Sequence, residues 1–201
     1  NTRMNHESSL GKRLAFFGIS LLYWGIGVLA VIILVLILVF NGLIITRNRV
    51  RNAWSQIDTQ LQKRNDLIPN LVEAVKGYAK HERETFAMVT QARTAMVNAK
   101  STGDKAKASD LLSGALKSLF AVAEAYPDLK ANQNFLQLQE ELTGVEEKIA
   151  YSRQFYNDSV LDYNNAIQTF PNSIIAGMVG FGQQGFFEAT AGAKAVPKVS
   201  F

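Results

Sequence analysis

The sequence predicts an all-α protein: an N-terminal transmembrane helix that continues into a long antiparallel helical hairpin or bundle of about three further helices. Three observations predict it. Residues Leu14 to Thr46 include no Asp, Glu, Lys, Arg or His. From Val50 onward, apolar residues recur at alternating spacings of four and three, the period of helices packed along their length. No stretch alternates polar and apolar residues with period two, so no sheet is expected.

The chain begins with a polar tail, residues 1–13, in which Lys12 and Arg13 mark a headgroup edge. The anchor follows over residues 14–46. Ile26 to Phe40 holds 13 Leu, Ile, Val or Phe residues. At about −0.3 to −0.6 kcal/mol each near a bilayer centre, these favour insertion by roughly 4 to 8 kcal/mol. The run lacks the polar face of a soluble helix. It is also more than twice the roughly 7–15 apolar residues of a cleaved signal peptide. A bilayer core of about 30 Å takes about 20 such residues, so the stretch exceeds one perpendicular span. Tyr23 and Trp24 are interface residues, and Gly25 and Gly27 follow them. One division places Leu14–Leu22 at the interface and the span at about 25–45; a single tilted helix is the alternative.

Arg47, Arg49 and Arg51 come directly after the anchor and form a partial basic collar for anionic lipid headgroups. Arg3, Lys12 and Arg13 precede the anchor, while Arg47, Arg49, Arg51, Lys63 and Arg64 follow it. This excess of positive charge favours a C-terminal domain in the cytoplasm and an N-terminus outside.

The helical-bundle domain is expected over residues 47–171. Its first seam reads Val50, Trp54, Ile57, Leu61, Arg64, Ile68, Leu71, Val75, Tyr78, Glu82, Thr85, Val89, Ala92 and Met96. The phase survives Pro69, so a kinked continuous helix reaching about Lys100 is expected. Ser101-Thr-Gly-Asp-Lys reads as a turn. A second helix over about 109–125 carries Leu111, Leu112, Ala115, Leu116, Leu119, Phe120 and Ala123 on its apolar face, and Pro127 ends it. The third runs from about Asn132 to Phe170 with Phe135, Leu138, Leu142, Val145, Ile149, Ser152, Tyr156, Ser159, Tyr163 and Ala166 in register. Asp128 or Asn132 can cap it, and Pro171 stops it. Residues 172–201 form a tail rich in glycine and phenylalanine. Ile174 to Phe187, with Phe181, Phe186 and Phe187 among its apolar residues, is expected to pack at the bilayer surface or on a neighbouring subunit.

Several long strings carry a family resemblance: Arg49-Val50-Arg51-Asn52-Ala53-Trp54-Ser55-Gln56-Ile57-Asp58, Arg64-Asn65-Asp66-Leu67-Ile68-Pro69-Asn70-Leu71-Val72, and Val75-Lys76-Gly77-Tyr78-Ala79-Lys80-His81-Glu82. Further on come Glu124-Ala125-Tyr126-Pro127-Asp128-Leu129-Lys130-Ala131, Arg153-Gln154-Phe155-Tyr156-Asn157, Tyr163-Asn164 and Phe170-Pro171. With these strings, in this order, the chain resembles the LemA family of bacterial membrane-anchored proteins from Phe40 to about Ala189. The resemblance implies a helical bundle on one N-terminal span of the inner membrane, with the N-terminus outside and the bundle in the cytoplasm. It implies no catalytic residues. Family genes often lie beside those of membrane proteases, and one branch belongs to the membrane-shaping machinery of magnetosomes. The apolar Leu14–Tyr23 extends beyond the usual family anchor.

Composition narrows the chemistry. There is no Cys, which excludes disulfides, thiolate metal sites and cysteine nucleophiles. His81-Glu82 opens like a zinc-binding helix, but Thr85 stands where the second His belongs. Gly180-Phe-Gly-Gln-Gln-Gly185 matches the dinucleotide fingerprint by letter, yet no strand precedes it and no βαβ unit contains it. Glu140, Glu141, Glu146 and Glu147 read as a solvated helix face. No metal, cofactor or catalytic residue is therefore expected, and a net charge of +4 is too mild for a dedicated nucleic-acid surface. Asn157, Asp158, Asn164 and Asn165 stand out, because such side chains compete with the backbone in a helix interior. Together with Trp54 they are the candidates for a protein contact.

These readings point to a membrane-anchored, non-enzymatic scaffold that forms a homo-oligomer and organises the bilayer. The alternative is an adaptor that presents its hairpin to another membrane protein, such as a protease.

Overall fold

A computed structural model of the protein describes the backbone of residues 2–188 and the side chains of residues 22–188. Lys12 and Arg13 thus lie outside the described side chains. Six helices and no strand are present among the described residues: α1 Thr2–Lys76, α2 Arg83–Asn98, α3 Thr102–Ala123, α4 Pro127–Lys130, α5 Gln133–Gln168 and α6 Asn172–Val179. The all-α class expected from the sequence is what forms. The chain divides into two compact units, Asn1–Ile45 with Ala166–Gly182, and Thr46–Asn165 with Gln183–Phe201.

The larger unit is a four-helix bundle. The C-terminal part of α1 supplies Ala53, Ile57, Leu61, Ile68, Leu71 and Val75 to its core, all buried as the four-three spacing requires. Pro69 lies inside α1 without ending it. The buried residues on both sides of Pro69 hold the turn against the core, which offsets its missing N–H. The expected continuation of this helix to about Lys100 does not occur. α1 stops at Lys76, and Tyr78 and Ala79 both donate their N–H groups to the Val75 carbonyl. Gly77 lowers the cost of leaving the helix there. The two seam residues at the break are used in the turn instead. Asn132 Nδ2 donates to Tyr78 Oη at 3.0 Å, and Tyr126 Oη donates to Glu82 Oε1 at 3.3 Å.

α2 then folds back along α1, so that Arg93 Nε reaches the Asn65 carbonyl at 3.4 Å. Its face of Phe86, Val89, Ala92 and Met96 is buried. α3 begins at Thr102, earlier than the expected 109. Ser101 is its N-cap, accepting the Asp104 N–H at 3.0 Å, and its hydroxyl donates to Asp104 Oδ2. This reciprocal arrangement resembles a capping box, with Asp in the place of Glu. It also holds the Asp104 carboxyl below its ordinary pKa, chiefly through the Ser101 hydroxyl. Leu112, Ala115, Leu116 and Leu119 face the core, but Leu111, expected with them, is exposed. A short α4, unanticipated from the sequence, starts on Pro127 and buries Leu129.

α5 closes the bundle. Asn132 caps it as expected, its Oδ1 accepting the Phe135 N–H at 3.1 Å. Phe135, Leu142, Val145, Ile149, Ser152, Tyr156, Ser159 and Tyr163 are buried along one stripe. Arg64 of α1 meets Glu146, and Trp54 meets Tyr156. The paired positions move in opposite directions along the two helices, so α5 runs antiparallel to α1. The Lys105–Asp58 pair and the Arg64–Ser109 contact set α3 parallel to α1. The topology is up-down-up-down with short connections.

The smaller unit joins the apolar part of α1 to the end of α5 and to α6. From Ile26 to Leu38 the large apolar side chains of α1 are exposed, and the helix is long and apolar enough to cross a membrane. Gly180, at φ 78°, ends α6 in the left-handed conformation that glycine adopts without strain. The Phe181 N–H then reaches back to the Ala176 carbonyl at 2.9 Å.

Candidate functional site

The residue types that compete with a helix backbone are used here to hold another piece of chain. Asn157 and Asn164 lie seven residues apart on α5 and thus share one face. Asn164 Nδ2 donates to the Gln184 carbonyl at 3.0 Å while its Oδ1 accepts the Gln184 N–H at 2.9 Å. Asn157 repeats the arrangement three residues on, donating to the Phe187 carbonyl at 3.2 Å and accepting the Phe187 N–H at 2.8 Å. Each carboxamide thereby satisfies one residue's N–H and C=O together, as a neighbouring β-strand would. The register follows from dimensions. Seven helical residues rise about 10.5 Å, and three extended residues advance about 10 Å. An extended segment running antiparallel to α5 therefore meets both asparagines in phase.

The segment carries one anchor. Phe187 is fully buried. Its ring centroid lies 6.1 Å from that of Trp54, and the Arg153 guanidinium stands over its face at 5.4 Å. Tyr156 stacks at a tilt on Trp54 at 5.5 Å and donates its hydroxyl to the Gly185 carbonyl at 2.9 Å. Lys105 Nζ lies 5.4 Å from the Trp54 ring centroid. Burial pushes the Tyr156 phenol above its ordinary pKa, partly offset by a hydrogen bond with Thr102. The site as a whole is a clamp that reads backbone through two carboxamides and reads one side chain through an aromatic pocket.

The residues singled out from sequence divide cleanly. Trp54, Asn157 and Asn164 converge on this clamp, whereas Asp158 and Asn165 face outward on α5. The partner of Asn157 and Asn164 is an extended segment of the same chain. Phe187 corrects an expectation: its side chain is enclosed by protein and is not available to lipid. Phe181 and Phe186 keep part of their surface exposed. Of the basic collar, Arg49 and Arg51 are exposed, but Arg47 is half-buried and its charge acts on Tyr163. Burial pushes the Tyr163 phenol up, and the Arg47 charge draws it partly back. Tyr23 and Trp24 are exposed at 69% and 76%.

Arg64, a charged residue in the otherwise mostly apolar seam, is not among the candidates the sequence offers. It is fully buried. One guanidinium nitrogen donates to Glu146 Oε1 at 2.8 Å and to Ser113 Oγ at 2.9 Å, and the other donates to Ser109 Oγ at 2.8 Å. These contacts tie α1, α3 and α5 at one level of the bundle. Among the described residues, no group of three or more His, Asp or Glu side chains comes together as a metal site. The shifted phenols of Tyr156 and Tyr163 are each accounted for by burial beside structural partners rather than by an apposed nucleophile or base.

The chain is similar to known proteins over most of its length. The LemA family model matches residues 53–201. Protein LemA of Metamycoplasma hominis is 29% identical over 75% of this chain and 69% of its own length. Magnetosome protein MamQ of Magnetospirillum gryphiswaldense is 26% identical over 79% of this chain and 68% of its own. Magnetosome protein MamQ 2 of Paramagnetospirillum magneticum is 26% identical over 81% and 70%.

Proposed function

Because this chain belongs to the LemA family, whose name assigns no reaction, we propose that it is a membrane-anchored scaffold that self-assembles at the bacterial inner membrane and organises or remodels the bilayer. The observation that carries the reading is the exposed apolar surface of α1. From Ile26 to Leu38 its Ile, Leu and Val side chains face outward with no charge among them, and such a surface is stable only under lipid or under other apolar helices. Arg49 and Arg51 follow as exposed cations suited to anionic headgroups. The bundle keeps its N-terminus-outside orientation in this reading through the excess of Lys and Arg after the span. Two relatives that bear the name magnetosome protein support a part in a bacterial membrane structure. The scaffold works by repetition: each copy contributes one span and one set of headgroup contacts.

The test is the mass of the particle extracted in native lipid nanodiscs. A uniform homomeric mass of several copies is expected. A monomer at every protein density overturns the scaffold.

A second reading has one observation in its favour. The Asn157–Asn164 clamp binds backbone, so it suits any extended segment with an aromatic residue three positions along. An adaptor would offer this groove to a segment of another membrane protein. Crosslinking from the clamp would then trap a stoichiometric heterocomplex in which residues 184–187 are displaced.

A further inference from the structure

We infer that α6 is a second membrane contact, a short apolar foot whose outer face lies among lipid acyl chains beside the anchor. The inference rests on the reading of the apolar part of α1 as a membrane span. It narrows the expectation for Ile174 to Phe187 to one helix, one exposed face and one occupant, lipid.

Three observations carry it. First, the exposed side of this segment is apolar and large. Ile174 and Met178, one turn apart on α6, are 55% and 81% exposed, and Phe170, one turn earlier, is 82% exposed. Ile175 and Ala176 on the other side are buried. A water-facing helix of a soluble protein shows the opposite arrangement. Second, no Asp, Glu, Lys or Arg occurs between Asp162 and Glu188, a gap that removes the cost of placing this segment in the interface. Third, the segment belongs to the same compact unit as the anchor. Phe181, just past the αL cap at Gly180, sets its ring 6.3 Å from that of Phe40. The exposed apolar surface of α1 and that of α6 thus belong to one body, and lipid that covers the first is in reach of the second.

The absence of cysteine makes the test clean, since an engineered thiol is the only one in the chain. Single variants Ile174→Cys and Met178→Cys would be labelled with a nitroxide in the full-length protein and reconstituted into vesicles of phosphatidylethanolamine and phosphatidylglycerol. Collision of each label with oxygen, which concentrates in lipid, would be compared with collision with a water-soluble nickel chelate. Leu36→Cys reports the span, and Val97→Cys reports the exposed surface of α2. The expected result is an oxygen-to-nickel ratio at positions 174 and 178 several-fold above that at 97 and on the side of position 36. Labels at 174 and 178 that match position 97 would overturn the foot while leaving the anchor intact. Labels shut off from both reagents would also overturn it, showing a second copy of the chain in place of lipid. A label at position 36 that behaves like the one at 97 would remove the span itself, and the foot with it.

Discussion

Replacing Asn157 with Ala should release the extended segment while leaving the bundle folded. The magnitude follows from what holds the segment. Asn157 and Asn164 make four hydrogen bonds with it, and Tyr156 makes a fifth. At about 0.5–1.5 kcal/mol net for each, these contribute roughly 2.5–7.5 kcal/mol. Burial of the Phe187 ring adds about 1.5–3 kcal/mol. Fixing the backbone of residues 184–187 costs about 1–2 kcal/mol for each residue, or roughly 4–8 kcal/mol. Docking is therefore favourable by about 1 kcal/mol at the midpoints of these ranges and by about 6.5 kcal/mol at their limit. Loss of the two Asn157 bonds removes about 1–3 kcal/mol from that small margin.

Amide hydrogen exchange reads this directly, because a local opening exposes the segment without unfolding the core. The Phe187 amide, which donates to Asn157 Oδ1, should exchange about 5- to 150-fold faster in the variant, at tenfold for each 1.4 kcal/mol. The Leu142 and Val145 amides, in the buried middle of α5, should keep their rates. Adding Asn164→Ala should accelerate the Phe187 amide by less than the product of the two single effects, since a segment already released has nothing further to lose. Unchanged protection at Phe187 in Asn157→Ala would refute the clamp. So would equal loss at Phe187 and Val145, which would make the segment part of the global fold.

Two further predictions concern the same unit. Arg64→Ala removes the guanidinium bonds to Glu146, Ser113 and Ser109, and because the Glu146 side chain is 38% exposed and stays hydrated the cost is that of the lost charge-assisted bonds, about 1.5–3 kcal/mol; Arg64→Met with Glu146→Gln should recover much of that in a urea melt, and equal midpoints for the two variants would contradict the account. The pH dependence of docking follows from Tyr156. Its pKa is raised in the folded state by burial, so the buried neutral phenol contributes stability that is fully present below the ordinary value of about 10 and is lost as pH rises through the raised value. Phe187 protection, compared with that of the core amides, should therefore fall selectively above about pH 10, and Tyr156→Phe should remove this dependence at the cost of the bond to Gly185.

Much of this was readable in the residues, and the failures have physical causes. The anchor and the bundle stripes could be read because burial leaves a period, and the residues in phase from Val50 to Val75 and from Phe135 to Tyr163 are mostly the ones buried. That same period hid the break after Lys76. Tyr78 and Glu82 kept the phase of the seam, but they serve a turn, where their polar atoms bond Asn132 and Tyr126. Periodicity records which residues face inward and not whether the backbone between them is helical. The local signals for the correct boundaries were present: Gly77 at one end and the Ser101-x-x-Asp104 cap at the other. Propensity and capping should have outweighed phase there.

The site was half legible for a related reason. Asparagine inside a helix is locally unfavourable, so Asn157 and Asn164 announced a tertiary bond from sequence alone. Their partner announced nothing, because carboxamides that bind backbone place no demand on the side chains they meet. Gln184 could be almost any residue. Phe187 is the one position of the segment that the pocket specifies, and a phenylalanine near a membrane anchor reads equally well as a lipid contact. Only the convergence of Trp54, Arg153 and Tyr156 distinguishes the two. The same logic separates Phe187 from Met178. Both are large and apolar in an uncharged stretch, but one has a built pocket and the other, among the described residues, has none. A side chain without a pocket is stable under an apolar cover, and that difference places the first in the clamp and leaves the second for lipid in the proposed foot.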